Sequence, residues 1–379
     1  MSFSRRSAYD ATPNELARAL AERRARGERV IDLTESNPTR AGIPYDEARV
    51  LAALGAPGAM RYEPEPLGLP LAREAVARRA NVDPARVVIT ASTSEAYAFL
   101  FTLLCDPGDE VLAPAPSYPL FSQLAALSDV TLVPYRLRYD GAWHVDAASV
   151  RAARTPRTRA VLAVSPNNPT GSRLSREELA ALASLGRPVV CDEVFASYIF
   201  RDRAGRVACA AKEAGDGLVI SLGGLSKEAG LPQMKLAWMI VGGPEALAGP
   251  ALERLAWIAD AYLSVATPVQ HALPALLEAG RGPREAISAR TRRNLAALDR
   301  AIAGTAATRL DLEAGWYATL RVPRVRSEME TCLRALERGA YVHPGSFFGF
   351  EDEAYVVVSL LAPEAELDEG VGALLDAIR

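Results

Sequence analysis

Between residues 86 and 194, short apolar runs rich in β-branched side chains alternate with helix-length stretches. This alternation constrains the fold more than any other feature of the chain. Residues 86–90 read as a strand bounded by turns. Residues 94–105 read as a helix with Glu95 in its first turn, where a carboxylate meets the positive end of the helix dipole. Asp106-Pro107-Gly108 closes it. Further strands are expected at 110–113, 130–137 and 159–165, and helices at 118–127 and 145–154. Ser175, with Glu178 three residues on, marks a capping box that opens a helix over 175–185. Residues 188–194 are almost wholly apolar around Asp192 and Glu193. Apolar strands separated by helices predict an α/β fold with a mostly parallel central sheet covered on both faces. Ligands on such sheets bind beyond the carboxyl ends of the strands.

The pattern changes towards the end. Residues 244–278 are rich in alanine and leucine and read as two helices broken near Thr267-Pro268. A helix at 286–304, a strand at 316–322, a helix at 328–338 and a strand at 355–361 then predict a smaller α+β unit. Residues 8–27 read as an amphipathic helix that packs on that unit. The expected division is a large domain over 46–275 and a small domain from 1–45 with 276–379. A length of 379 residues and a hydrophobic fraction of 49% suit two such domains. The formal charge of −3 gives no reason to expect nucleic acid or an anionic membrane as a partner. The four cysteines have neither disulfide-framework nor zinc spacing. No apolar run is long enough to cross a bilayer, and residues 1–10 lack a leader's apolar core, so a cytoplasmic setting is expected.

Four segments carry the chemistry. Ser221-Leu222-Gly223-Gly224-Leu225-Ser226-Lys227 places a lysine on a turn-rich stretch between apolar strands at 218–222 and 236–241. A lysine there can act as a nucleophilic amine once desolvation eases loss of its proton. Ser165-Pro166-Asn167-Asn168-Pro169-Thr170-Gly171 follows a strand, and read alone it is a loop that presents the Asn168 amide. Asp192 lies within an apolar strand, where a carboxylate is costly without a partner; capping a backbone turn is the structural alternative. Ala91-Ser92-Thr93-Ser94 joins a strand to a helix and suits either an N-cap or a phosphate cradle.

Together these segments resemble the class I aminotransferases, the aspartate-aminotransferase-like pyridoxal-phosphate enzymes of fold type I. The resemblance runs from Asn37-Pro38 to Pro344-Gly345-Ser346. It implies transfer of an amino group from an amino acid to a 2-oxo acid, with pyridoxal 5′-phosphate as cofactor. By resemblance, Lys227 forms the internal aldimine and shuttles the proton. Asp192 pairs with the pyridinium nitrogen, which lets the ring accept carbanion charge. Asn168 bonds the ring's phenolic oxygen and borders the substrate. Tyr118 stacks on the ring, Ser92 and Thr93 cradle the phosphate, and Lys235 neutralises it. Tyr62 resembles the tyrosine that reaches the partner's phosphate, which implies a homodimer with shared active sites. Gly68 stands one residue further from Tyr62 than is usual.

Four positions depart from the family pattern. Phe195 replaces a tyrosine that bonds the phenolic oxygen, and Gly224 replaces a phosphate-binding serine, leaving Ser226 as a substitute. Ala237 replaces a glycine. Val357 replaces the arginine that holds the substrate carboxylate, and no arginine occurs between residues 347 and 375. Either Arg40, ahead of Arg61, takes that role or the amino donor or acceptor is unusual. His343 reads as structural, and Trp316-Tyr317 reads as a core strand with a substrate wall as the alternative. A lyase or synthase of the same fold type is the second functional reading. A cofactor-sensing regulator is disfavoured, because such proteins carry a DNA-binding domain ahead of the module and here the resemblance starts within the first few dozen residues.

Overall fold

A short first strand, β1 (Ile31–Asp32), stands apart from the next eight, which gather into one sheet in the computed structural model. The structure describes residues 3–8, 10–351 and 354–379. The eight are β2 (Val87–Thr90), β3 (Glu110–Ala115), β4 (Thr131–Tyr139), β5 (Trp143–Val145), β6 (Thr158–Val164), β7 (Val189–Asp192), β8 (Val219–Gly224) and β9 (Ala237–Gly242). Their spatial order is β2-β9-β8-β7-β6-β3-β4-β5. Strands β3, β4, β6, β7 and β8 run parallel, β5 opposes β4, and β9 opposes both β8 and β2. β2 therefore points the same way as β8.

The strands are apolar on both faces because both faces are covered. Val190, Ile220 and Met239 pack beneath helices Thr93–Leu104 and Glu245–Asp260. The alternate residues Val189, Cys191 and Val219 pack on the other face with Leu179 and Leu182 of helix Arg176–Ala183. That helix opens with the capping box expected from Ser175 and Glu178.

The remaining strands are β10 (Thr308–Arg309), β11 (Tyr317–Arg321), β12 (Ala340–Tyr341), β13 (His343–Pro344) and β14 (Tyr355–Ser359). Four form an antiparallel sheet in the order β10-β11-β14-β13, and β12 pairs in parallel with β1. Leu16, Leu20, Ile31 and Leu33 share a core with Leu320, Val356, Val358 and Leu367, so the N-terminal arm packs where the sequence predicts. The boundary expected after residue 275 falls inside helix Thr267–Ala279, whose Leu276 and Ala279 pack with Val50 and Ile89.

Local chemistry moves several element ends. The N-terminal helix is only Glu15–Ala25: Asn14 caps it, accepting a hydrogen bond from Ala17 N at 2.8 Å, and Pro13 precedes the cap. Tyr9, inside the stretch expected to be helical, lies outside the described residues. The helix expected from Tyr118 begins at Phe121, because Pro119 disfavours helical geometry at the residue before it. Trp143–Val145 is a strand, and Asp146 caps the helix Ala147–Ala153 behind it. Thr267-Pro268 opens a helix rather than breaking one, since proline is tolerated in a first turn.

Candidate active site

Five strands end at one edge of the large sheet, and each delivers a side chain there. After Thr90 of β2 come Ser92 and Thr93; after Ala115 of β3, Tyr118; after Val164 of β6, Asn168. Asp192 is the last residue of β7, and Lys227 sits three residues beyond β8. β9 runs the other way, so Lys235, just before it, starts at the same edge. A cavity of about 340 Å³ opens there, walled by all seven of these residues together with Ser36, Phe195 and Tyr317.

Lys227 lies in the one-turn helix Leu225–Glu228 rather than in an open turn. That turn is tied down at two points. Tyr198 Oη donates to the Lys227 carbonyl at 2.5 Å. The next residue, Glu228, accepts from Arg284 and from Ser197 Oγ, each at 2.5 Å, and pairs with Arg79. Burial pushes the Lys227 amine down to about 8, while the Asp192 charge pulls the other way. Asp192 is 5% exposed and is pushed up to about 6 by burial. Its carboxylate accepts hydrogen bonds from Val194 N and from Tyr97 Oη, both at 3.1 Å, and these together with Lys227 oppose the burial effect. The cavity therefore holds an amine that gives up its proton near neutrality and a buried carboxylate short of positive partners.

Asn168 is buried and leaves its Oδ1 without a partner among the described residues. Its loop is pinned by Gly171, where φ is +66° and a Cβ would lie 2.5 Å from the Ala314 carbonyl oxygen. Only glycine fits that approach. Ser92 caps helix Thr93–Leu104, its Oγ accepting from Glu95 N at 3.1 Å, so the helix's free N–H groups and partial positive charge face the cavity. The N-cap and phosphate-cradle readings of this segment coexist. Tyr118 is 41% exposed on the cavity wall, edge-on to Phe121.

Other expected residues stand elsewhere. Tyr62 is 79% exposed and borders a separate pocket with Gly68 and Gln270. Arg40 is exposed, 3.6 Å from Glu35, and absent from the cavity wall, as is the exposed Arg61. Val357 is buried in β14 between Thr319 of β11 and His343 of β13. His343 contacts the rings of Tyr341, Phe347 and Phe348 outside the cavity wall, and burial lowers its proton affinity. Ala237, at the start of β9, does line the cavity.

Three contributors escaped the sequence reading. Tyr97 falls one helical turn after Thr93, a spacing that puts both on one face and could have revealed it. Ser36, which lines the cavity with Tyr317, and the Tyr198 hydroxyl come from distant segments with no local signal. Burial pushes the Tyr317 phenol up to about 12. The two readings of Trp316-Tyr317 are shared out: Trp316 is core, and Tyr317 lines the cavity.

Known proteins share sequence and fold with this chain. The glutamate–pyruvate aminotransferase AlaA of Escherichia coli (strain K12) is 31% identical over 262 residues, a match covering 66% of this chain and 64% of the relative's length. An aspartate aminotransferase single mutant from Thermus thermophilus superposes with a TM-score of 0.83 at 26% identity over all of both chains. An alanine aminotransferase from Pyrococcus furiosus shares the fold with a TM-score of 0.87 at 23% identity, over 99% of each chain. Residues 28–374 match the family described as aminotransferase class I and II. The chain belongs to that family.

Proposed function

We propose that this chain is a pyridoxal-phosphate-dependent aminotransferase that moves an amino group from an amino acid to a 2-oxo acid, with Lys227 as its covalent and proton-carrying residue. The observation that carries the reading is the convergence of Lys227, Asp192, Asn168, Tyr118, Ser92, Thr93 and Lys235 on one cavity. The residues fit the cofactor. A helix N-terminus with Lys235 beside it suits a phosphate dianion. Asp192, buried and short of cations, suits a ring N–H⁺, and the Asn168 amide on the cavity wall, through its Nδ2–H, suits a phenolic oxygen. Tyr118 offers a ring face. When bound, the cofactor supplies an electron sink for charge developing on the amino acid's α-carbon.

The chain's own residues then do the following. Asp192 holds positive charge opposite its carboxylate, supported by Tyr97 Oη. Lys227 Nζ, desolvated to a proton affinity near 8, can give up a proton near neutrality and take one back within the same cavity. Phe195 and Tyr317 keep water from its flank. With Phe195 in place of a phenol, Asn168 is the side chain left to hold the phenolic oxygen.

Tyr62 stands exposed beside Met60, which is 91% exposed, and so suits contact with a second copy of the chain. The reading therefore includes a homodimer with shared sites, as the resemblance implies. The same reading takes 46–275 as the cofactor-bearing domain and 1–45 with 276–379 as the smaller one. The core that joins Leu16 and Ile31 to Val356 and Leu367 supports that grouping, and the packing of Leu276 and Ala279 extends the larger domain to the end of its helix.

Borohydride reduction of the cofactor-supplied protein, followed by peptide mass mapping, tests the reading. A phosphopyridoxyl adduct at Lys227 is expected, and amino donors alone should yield at most one equivalent of 2-oxo acid per site, with continued formation only when an oxo-acid acceptor is present. No adduct at Lys227 would sink the proposal. An adduct with ammonia release and no acceptor dependence would replace it with the lyase reading, which the absence of arginine at Val357 keeps open.

A further inference from the structure

Lys227 has aromatic neighbours that the functional reading leaves unused. Its Nζ lies over the Trp316 ring, 4.5 Å from the centroid, and 5.5 Å from the centroid of Phe195. Trp316 is fully buried and set edge-on to Phe195 at 5.3 Å and to Tyr198 at 5.0 Å. Its Nε1–H is buried and finds no acceptor among the described residues. An indole N–H left unpaired in the core is unfavourable, and Phe or Leu would fill an apolar site without that penalty. What tryptophan alone adds is its face, the most negative ring quadrupole among the side chains.

We propose that the indole face of Trp316 is the resting place of the free Lys227 ammonium, making Trp316 a positioning residue that aims the amine into the cavity when it is not covalently engaged. Several charged or titratable groups approach from neighbouring elements: Asp192 from β7, Lys235 from the turn before β9, Tyr118 from the loop after β3, and Tyr317 from β11. Of these, Asp192 supports the ammonium from the cavity side. Trp316 supports it from the core side, where its ring packs edge-on to Phe195 and Tyr198. The Tyr198 hydroxyl fixes the backbone at residue 227, so the side-chain torsions of Lys227 set where the amine lies between the two. The inference rests on the role given to Lys227 above and extends it to a residue outside the cavity wall.

The test replaces Trp316, in the full-length chain, with a series of increasingly fluorinated tryptophans. These drain the negative face while nearly preserving shape, so packing and folding are kept. In protein stripped of cofactor, the pH dependence of Lys227 modification by an amine-selective reagent, read by peptide mass spectrometry, reports the amine's proton affinity. The midpoint should fall stepwise with fluorination, by about half to one and a half pH units across the series. Trp316→Phe should fall between the ends. A midpoint that stays constant across the series overturns the proposal and leaves Trp316 as filler. Failure of the cofactor reading is separately visible, as an unsubstituted protein that forms no adduct at Lys227.

Discussion

Asp192 and Glu193 are consecutive carboxylates at the end of one strand, the first buried and the second half-buried, and desolvation raises both in proton affinity, to about 6 and about 7. They nevertheless face opposite sides of the sheet. Asp192 looks into the cavity beside Lys227. Glu193 turns away: its Oε1 accepts from Ala210 N at 2.6 Å and from Ser221 Oγ at 2.9 Å, tying β7 to β8 and to the segment beyond. Burial alone does not separate a site residue from a structural one. The two-residue period of the strand separates them, because it decides which face each side chain meets.

The sharpest way to break this comparison is to remove the amine that gives the cavity face its meaning. Lys227→Ala should abolish turnover, a loss of at least two to four orders of magnitude (roughly the value of a positioned acid–base group), and no covalent cofactor adduct should remain. Residual turnover at a tenth of the parent rate would end the assignment.

The two carboxylates should then part company. Asp192→Asn should lower kcat by about 10²–10⁴, the range for loss of a positioned electrostatic group. It should also move the Lys227 midpoint below 8, because Asp192 is the charge that raises it. Glu193→Ala should leave kcat nearly unchanged and lower stability by about 1–3 kcal/mol, because it removes the acceptor that Ala210 N and Ser221 Oγ share. Equal kinetic losses in both variants would show that the sheet face is not what distinguishes them.

A pH series sharpens the structural half. Glu193 binds its proton more tightly folded than unfolded, about 7 against 4.5. Its contribution to stability is therefore complete below pH 4.5 and is lost as pH rises through 7, in total about 3 kcal/mol. Denaturant melts of the parent protein minus those of Glu193→Gln should trace that decline. A flat difference between pH 4.5 and 7.5 would contradict it.

The smallest effect is expected at Arg40. Exposed and loosely paired with Glu35, it has little to lose: Arg40→Ala should change KM by less than about twofold. A tenfold rise would restore it as the carboxylate-binding group that its position in the sequence suggested.

Much of this was legible along the chain. The alternation of strands and helices carried the parallel sheet, and the residues after strands β2, β3, β6, β7 and β8 carried most of the cavity. Those signals are local: a cap at Ser92, a turn around Asn168, a polar residue ending an apolar strand at Asp192. What stayed hidden came from distant segments. Ser36 meets Tyr317 across more than two-thirds of the chain, and Tyr198 reaches the Lys227 carbonyl from a loop with no pattern of its own. The arginine search ran the other way, since Arg40 sits beside a plausible motif yet points to solvent.

Local periodicity, caps and turn chemistry were enough to determine the class of fold and to place the lysine, the carboxylate and the helix N-terminus at strand ends, because those features depend on neighbours a few residues away. Only the folded chain decided that Glu193 turns to the other face to hold Ala210 N and Ser221 Oγ, that Tyr97 supports Asp192, and that an indole from β11's threshold lies beneath the amine. Those outcomes depend on which faces of separately formed elements are pressed together, and packing energy, rather than any short stretch of residues, selects that arrangement.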